Sequence, residues 1–272
     1  MGSTIGGFPA TPLTLGAMPM DMSGTAGLSG TVEMGLYTKE LTQRHICGRR
    51  AITWDGRVFK YSKSGAACYS GQGASSHRLP AVNRTTIALD RDEGSTQVSI
   101  ASQSFAKDEL AGGYVTCFGA ADQNTDVQHR GIVGNNYCSS TTLVIDMDAP
   151  LFADITTTLV ALVSYNPYTD LRLNSGQEVG FTAILGVPAV YVSAASYYFW
   201  LQTWGPCFCA ATEHLGDADG DQQMVFTSEG ALRRIATARV EDHGYQVAGF
   251  LMTEGVAGVG WNEHIVMLQI SI

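Results

Sequence analysis

A chain of 272 residues, 45% hydrophobic and only 15% charged, is long enough to bury a real core, either as one large domain or as two smaller ones. Its 25 acidic residues outnumber 16 basic ones, and a formal net charge of −9 argues against a phosphate-neutralising surface, so nucleic acid is not an expected partner. No stretch approaches 18 uninterrupted apolar residues, so no membrane-spanning helix is expected and no membrane partner. The 31 glycines suit short strands joined by tight turns and set a mainly β expectation.

Residues 1–36 contain neither Lys nor Arg and no continuous apolar run, so they lack the marks of a secretory signal, and synthesis in a host cytoplasm is expected. Under that expectation Cys47, Cys68, Cys117, Cys138, Cys207 and Cys209 are read as free, buried thiols. Gly6, Gly7, Pro9, Pro12, Gly16, Pro19, Gly24, Gly27 and Gly30 interrupt any regular element in this stretch. Its apolar residues, among them Ile5, Phe8, Leu13, Leu15, Met18, Met20, Met22 and Leu28, fit an extended arm that docks into a partner's groove. A disordered tail is the competing reading.

Further on, Arg50 to Trp54 and Arg57 to Tyr61 flank Asp55-Gly56, which predicts a hairpin with a two-residue type I′ turn. A second hairpin is predicted from Thr86–Leu89 through Arg91-Asp92-Glu93-Gly94 into Thr96–Ile100. Strands are also predicted at residues 114–118, 131–133, 141–147, 158–163 and 179–185, and a short helix at 106–110. In a strand from Tyr197 to Trp204, the side chains of Tyr198, Trp200, Gln202 and Trp204 share a face, and Ile265 to Ile272 alternate as a terminal strand. The expected architecture is antiparallel β-barrel or β-sandwich domains behind an extended N-terminal arm. It divides into an arm at 1–36, a main β domain at 37–190 and a small barrel-like domain at 191–272, with Val187-Pro188 as punctuation.

Searching for reaction chemistry yields no G-x-S-x-G elbow, no Walker A loop and no H-E-x-x-H helix. Gly255, Gly258 and Gly260 read as turn glycines. Trp204-Gly205-Pro206-Cys207 is similar to a redox loop that lacks its first cysteine, and Cys207 and Cys209 would share one strand face. Asp217, Asp219 and Asp221 around Gly220 suggest a calcium loop, but the glycine and the twelfth residue, Ser228, are out of frame, so a solvated turn is expected. His45, His77, His129, His214, His243 and His264 show no ligand spacing, and Asn83-Arg84-Thr85 is a glycosylation pattern without a secretion signal. No catalytic, cofactor-binding or metal-binding residue is assigned.

Two segments carry a resemblance. The hairpin from Asp55 to Tyr61 runs into Ser62-Lys63-Ser64-Gly65-Ala66-Ala67 and then Tyr69-Ser70-Gly71-Gln72-Gly73. Trp200-x-Gln202-x-Trp204-Gly205-Pro206 is followed by Gly220-Asp221, by Gly230-Ala231-Leu232 and by the terminal strand. Together these resemble the head decoration, or cement, proteins of tailed bacteriophages. The resemblance implies a non-enzymatic virion protein on the capsid surface, a homotrimer that binds the major capsid protein at three-fold positions and bridges neighbouring subunits, with residues 1–36 as the clamp. A tail, baseplate or fibre protein for host attachment is the alternative, and a β-sandwich hydrolase a more distant one.

Overall fold

The computed structural model describes residues 35–76, 80–119, 126–173, 183–213, 215, 222–235, 246–253 and 263–271. The protein is mainly β, at 54% strand, with antiparallel sheets that form a half-barrel and a nearly closed barrel. Two compact units are present: one joins Met1–His77 to Asp170–Ile272, and the other, Arg78–Thr169, is inserted between those halves. The expected arm falls outside the described residues except for Gly35 and Leu36, both buried.

The first unit begins with β1 (Lys39–Glu40), β2 (Arg50–Ile52), β3 (Val58–Lys63) and β4 (Ala74–Ser76). β2 and β3 form the predicted hairpin, in register from Ile52↔Val58 to Arg50↔Lys60. Its turn differs from the two-residue type I′ expectation. Gly56 donates to Thr53 O and Thr53 donates to Arg57 O, while Gly56 alone of the loop has positive φ, at 84°. This is a three-residue loop in which a type I turn ends in a left-handed glycine, because Asp55 keeps a negative φ and instead accepts from its neighbours Thr53 and Arg57.

The inserted unit comprises β5 (Val82–Thr86), β6 (Gln97–Phe105), β7 (Tyr114–Gly119), β8 (Gln128–Asn135), β9 (Cys138–Met147) and β10 (Leu159–Ser164), ordered β5-β10-β7-β8-β9-β6. Its two edges meet through Ile87↔Ile100 and through Ala88 N–H donating to Ser99 O at 2.8 Å. This contact nearly closes the barrel and removes most of an exposed edge. Val98, Ile100, Val115, Cys117, Leu143, Ile145, Ala161 and Val163 point inward at two-residue spacing and fill the core. The predicted second hairpin is therefore a closure rather than a tight hairpin: β5 pairs with β10 and β6 with β9. The predicted helix at 106–110 is a chain of tight turns, since Asp108 and Gly112 have φ of 59° and 77°, which an α-helix does not tolerate.

After a 3-10 turn at Pro167–Thr169, the first unit resumes with β11 (Leu171–Leu173), β12 (Ile184–Pro188), β13 (Tyr198–Ala210), β14 (Gln223–Phe226), β15 (Leu232–Arg234), β16 (Val247–Leu251) and β17 (Glu263–Gln269). With β1 to β4 these make an 11-stranded sheet organised on β13. The first half of β13 pairs with β3, from Tyr198↔Lys63 to Trp204↔Val58, and its second half with β17, from Trp204↔Gln269 to Ala210↔Glu263. The boundary expected near residue 190 thus falls inside one sheet, because β13 is hydrogen-bonded to β12 and β3 on the far side of that boundary. The aromatic run also differs from expectation: Phe199, Leu201 and Thr203 are buried as well as Tyr198, Trp200 and Gln202, as suits a central strand covered on both faces. Residues 179–182 of the predicted 179–185 strand lie outside the described residues.

Candidate docking site at the root of the N-terminal arm

At the start of the described residues of the first unit, a set of polar bonds fixes the backbone to an aromatic base. Lys39 and Glu40 pair with Phe199 and Tyr198 as β1. The Lys39 ammonium donates to Tyr191 O at 3.0 Å and lies 5.3 Å from the ring centres of Tyr191 and Tyr197, a geometry in which the ring faces attract the cation. Glu40 and Arg44 form an ion pair at 2.8 Å. The Tyr198 hydroxyl donates to Gln43 Oε1 at 3.2 Å, and the Arg44 backbone N–H donates to the Tyr61 hydroxyl at 3.0 Å.

Under this loop Tyr61 stacks on Tyr198 with centroids 5.7 Å apart and meets Trp200 edge to face at 5.2 Å. His45 caps the pile, 5.1 Å from Tyr61 and 5.9 Å from Trp200. Its Nδ1 lies 3.3 Å from Arg49 Nη1. A guanidinium only donates, so Nδ1 accepts and the neutral ring carries its proton on Nε2, which is buried without a hydrogen-bond partner. His45 is held below its ordinary value of 6.5, first by burial and then by the charges of Arg49 and Arg44. Burial pushes the Tyr61 phenol and the Cys47 thiol up to about 12, so both stay protonated at neutral pH. A nucleophilic role for Cys47 would require the thiolate that this burial disfavours.

Four large apolar side chains project from this rigid base: Trp54 is 82% exposed, Ile46 67%, Leu41 66% and Tyr37 56%. Trp54 occupies the hairpin loop, which Arg57 secures by pairing with Asp55 at 2.8 Å and donating to the Tyr37 hydroxyl at 3.0 Å. Burial alone would raise the Asp55 carboxyl, but bonds from Thr53 and Arg57 bring it below its ordinary value. Charge is concentrated here too. Residues 37–63 hold seven basic side chains (Lys39, Arg44, Arg49, Arg50, Arg57, Lys60, Lys63) against Glu40 and Asp55, a net of +5, which leaves −14 for the rest of a chain of net −9. A whole-chain average hides this segregation, which a windowed charge count reveals. The segment thus combines a net positive charge with four exposed apolar side chains beside an aromatic pile.

The residues singled out for chemistry lie elsewhere or outside the described set. Cys207 and Cys209 share the inward face of β13; a hydrogen bond from the Cys209 thiol to Cys207, then burial, raise Cys209 well above its ordinary value. His264 stands opposite Cys209 in register and is buried. Among the described residues no group of three or more His, Cys, Asp or Glu side chains could hold a metal ion. None of the six cysteines is in a disulfide, and all six are buried. His129 is stacked on Tyr114 at 5.2 Å and bonds Thr116 at 2.8 Å, while Asn83-Arg84-Thr85 lies on β5. Asp217, Asp219, Gly220 and Asp221, Gly255, Gly258 and Gly260, and His77, His214 and His243 lie outside the described residues.

Comparison with protein-family models, with curated proteins and with solved structures finds no match to this chain.

Proposed function

We propose that the protein is a non-enzymatic structural component of a virion that binds the outside of a phage capsid and bridges neighbouring major capsid protein subunits. The observation that carries this reading is the arm root: Tyr37, Leu41, Ile46 and Trp54 exposed on a rigid aromatic base inside a segment of net charge +5, directly continuous with the apolar-dotted residues 1–34. Cationic groups steer the protein to an acidic face of the shell, and apolar side chains slow its departure once seated. The arm then adds contacts that form only on the shell, and many copies make the attachment multivalent.

Co-sedimentation of the purified protein with undecorated capsids, followed by imaging of the shells, tests the reading. Regular density on the capsid is expected, with binding weakened on the order of tenfold to a hundredfold by the paired change Ile46→Ala and Trp54→Ala. Weakening by salt is expected as well. Density on tails or baseplates would transfer the same docking surface to an attachment role. Binding to neither part, or capsid binding indifferent to both substitutions and to loss of residues 1–34, refutes the assignment.

A further inference from the structure

A second apolar surface occupies the outward face of the half-barrel, along the C-terminal half of β13. Phe208 of β13 stands opposite Ile265 of β17, whose carbonyl accepts from Met252 at the end of β16. In the neighbouring row Pro206 stands opposite Met267, which is opposite Phe250. Side chains alternate along a strand, and the set between these residues (Cys207, Cys209, Val266, Leu268, Leu251) packs the core, so the two rows face out. Phe208 and Met252 are each 49% exposed, Phe250 44% and Ile265 42%. The solvent face of an antiparallel sheet is ordinarily polar, yet none of these six side chains is.

We propose that this face is a homodimer interface, occupied by the same face of a second copy about a two-fold axis. Charge restricts where two copies can meet. Outside residues 37–63 the chain carries −14, so two copies repel over most of their surfaces. The two rows carry no charge; of the positions that flank them, Gln223 opposite Phe250 and Gln269 opposite Trp204 are neutral, and Glu263 opposite Ala210 marks the acidic edge of the face. Shape agrees: a sheet face two rows deep and three strands wide is complementary to itself, and two such faces stack at the usual sheet spacing of roughly 10 Å. Area agrees too. Partial exposure of six apolar side chains leaves on the order of 400 Å² of apolar surface, about half of the ~800 Å² that each partner contributes to a standard interface. An apolar core of that share, surrounded by a polar rim, is the usual anatomy. The two-fold state differs from the trimer implied by the resemblance, and it does not depend on the capsid reading.

The test is the mass of the full-length protein by sedimentation velocity from about 1 to 100 μM at physiological salt. The expected wild-type behaviour is a monomer–dimer equilibrium that moves from mostly 29.0 kDa at the low end of this range to mostly twice that mass at the high end. Phe250→Glu and, separately, Ile265→Glu should weaken association on the order of a hundredfold, with the circular dichroism spectrum unchanged and the melting temperature equal to that of wild-type protein diluted to monomer. Trp54→Glu at the arm root should leave the dimer intact. Hydroxyl-radical footprinting of the unmodified protein supplies a readout that needs no variant: Met252 and Met267 should oxidise more slowly at 100 μM than at 1 μM. Monomer throughout the range, an assembly that both glutamate variants leave intact, or equal oxidation at the two concentrations overturns the proposal, and the first of these assigns the face to a different partner.

Discussion

Asn135 supports a quantitative prediction about the inserted barrel. It is buried at the end of β8, where Oδ1 accepts from Leu110 N–H at 2.9 Å and Nδ2 donates to Ala106 O at 2.8 Å and to Asn136 O at 2.7 Å. These bonds hold the turns of residues 106–112 against the core, where Leu110 is fully buried. Asn135→Asp keeps the shape and the bond from Leu110, but it aims a carboxylate oxygen at two carbonyl oxygens. Loss of two hydrogen bonds costs about 2 kcal/mol, and a buried, unpaired charge facing two acceptors adds a further ~1–3 kcal/mol. The total is therefore roughly 3–5 kcal/mol at pH 7.5. Protonation lets the new carboxyl donate to one of the carbonyls, so its folded pKa lies above the unfolded value near 3.9. A raised folded pKa means that the proton-linked stability is fully present below the unfolded value and lost as pH rises through the folded one, so the variant should gain stability relative to wild type on acidification. The assay must see the right unit: Trp54, Trp200, Trp204 and Trp261 all belong to the first unit, so far-UV circular dichroism in urea is the readout for the inserted one. A variant within 1 kcal/mol of wild type at pH 7.5, or one whose deficit grows as pH falls, refutes the reasoning.

Two further predictions concern the first unit. His45 has a depressed folded pKa, so its contribution is fully present above the ordinary value of 6.5 and is lost as pH falls through the folded one. Tryptophan-detected unfolding midpoints should accordingly drop from pH 7.5 to pH 5, and His45→Gln should flatten that dependence; equal slopes in the two proteins would reject the assignment. Gly249 has φ of 146° in β16, and a Cβ there would overlap the carbonyl of Met267 on β17. Gly249→Ala should therefore cost roughly 3 kcal/mol or more in urea denaturation, and a change below 1 kcal/mol would show that the strand pair can yield.

Strands were legible in this sequence because two-residue alternation is a local signal. Residues 114–118, 141–147 and 158–163 all read as strands and lie within β7, β9 and β10 apart from Thr158. Which strands pair was not legible, since register is decided between residues far apart: β13 meets β3 across more than a hundred positions, and the inserted unit has no compositional edge at 77/78 or at 169/170. Asp55-Gly56 located a turn correctly but not its type, because the Asp55 side chain's bonds to Thr53 and Arg57 decide the loop geometry. At the arm root the cationic segment was written in the sequence and lost in the average, whereas the exposure of Trp54 and Ile46 depends on what does not cover them. Alternation in the last strand separated Val266 and Leu268 from Ile265 and Met267, but with both sets apolar, pattern alone did not say which face met water.

The two surfaces are mechanically linked through one strand. Phe199, beside the arm root, and Phe208, in the outward apolar rows, lie on β13, and nine residues of extended chain separate them by about 30 Å. β13 is hydrogen-bonded along its length to β3 and then to β17, so this separation is set by a paired central strand rather than by a linker. A dimer formed across the outward rows would therefore present two arm roots at a fixed spacing, each cationic and apolar. Where a shell repeats an acidic site at a matching interval, the second root binds at an effective concentration set by that spacing, and avidity can exceed single-site affinity by roughly 10²- to 10⁴-fold without any new contact. A mismatch would cancel the gain entirely. On the proposed capsid reading, the outward rows would touch no capsid and would still help determine which capsid the two roots could hold.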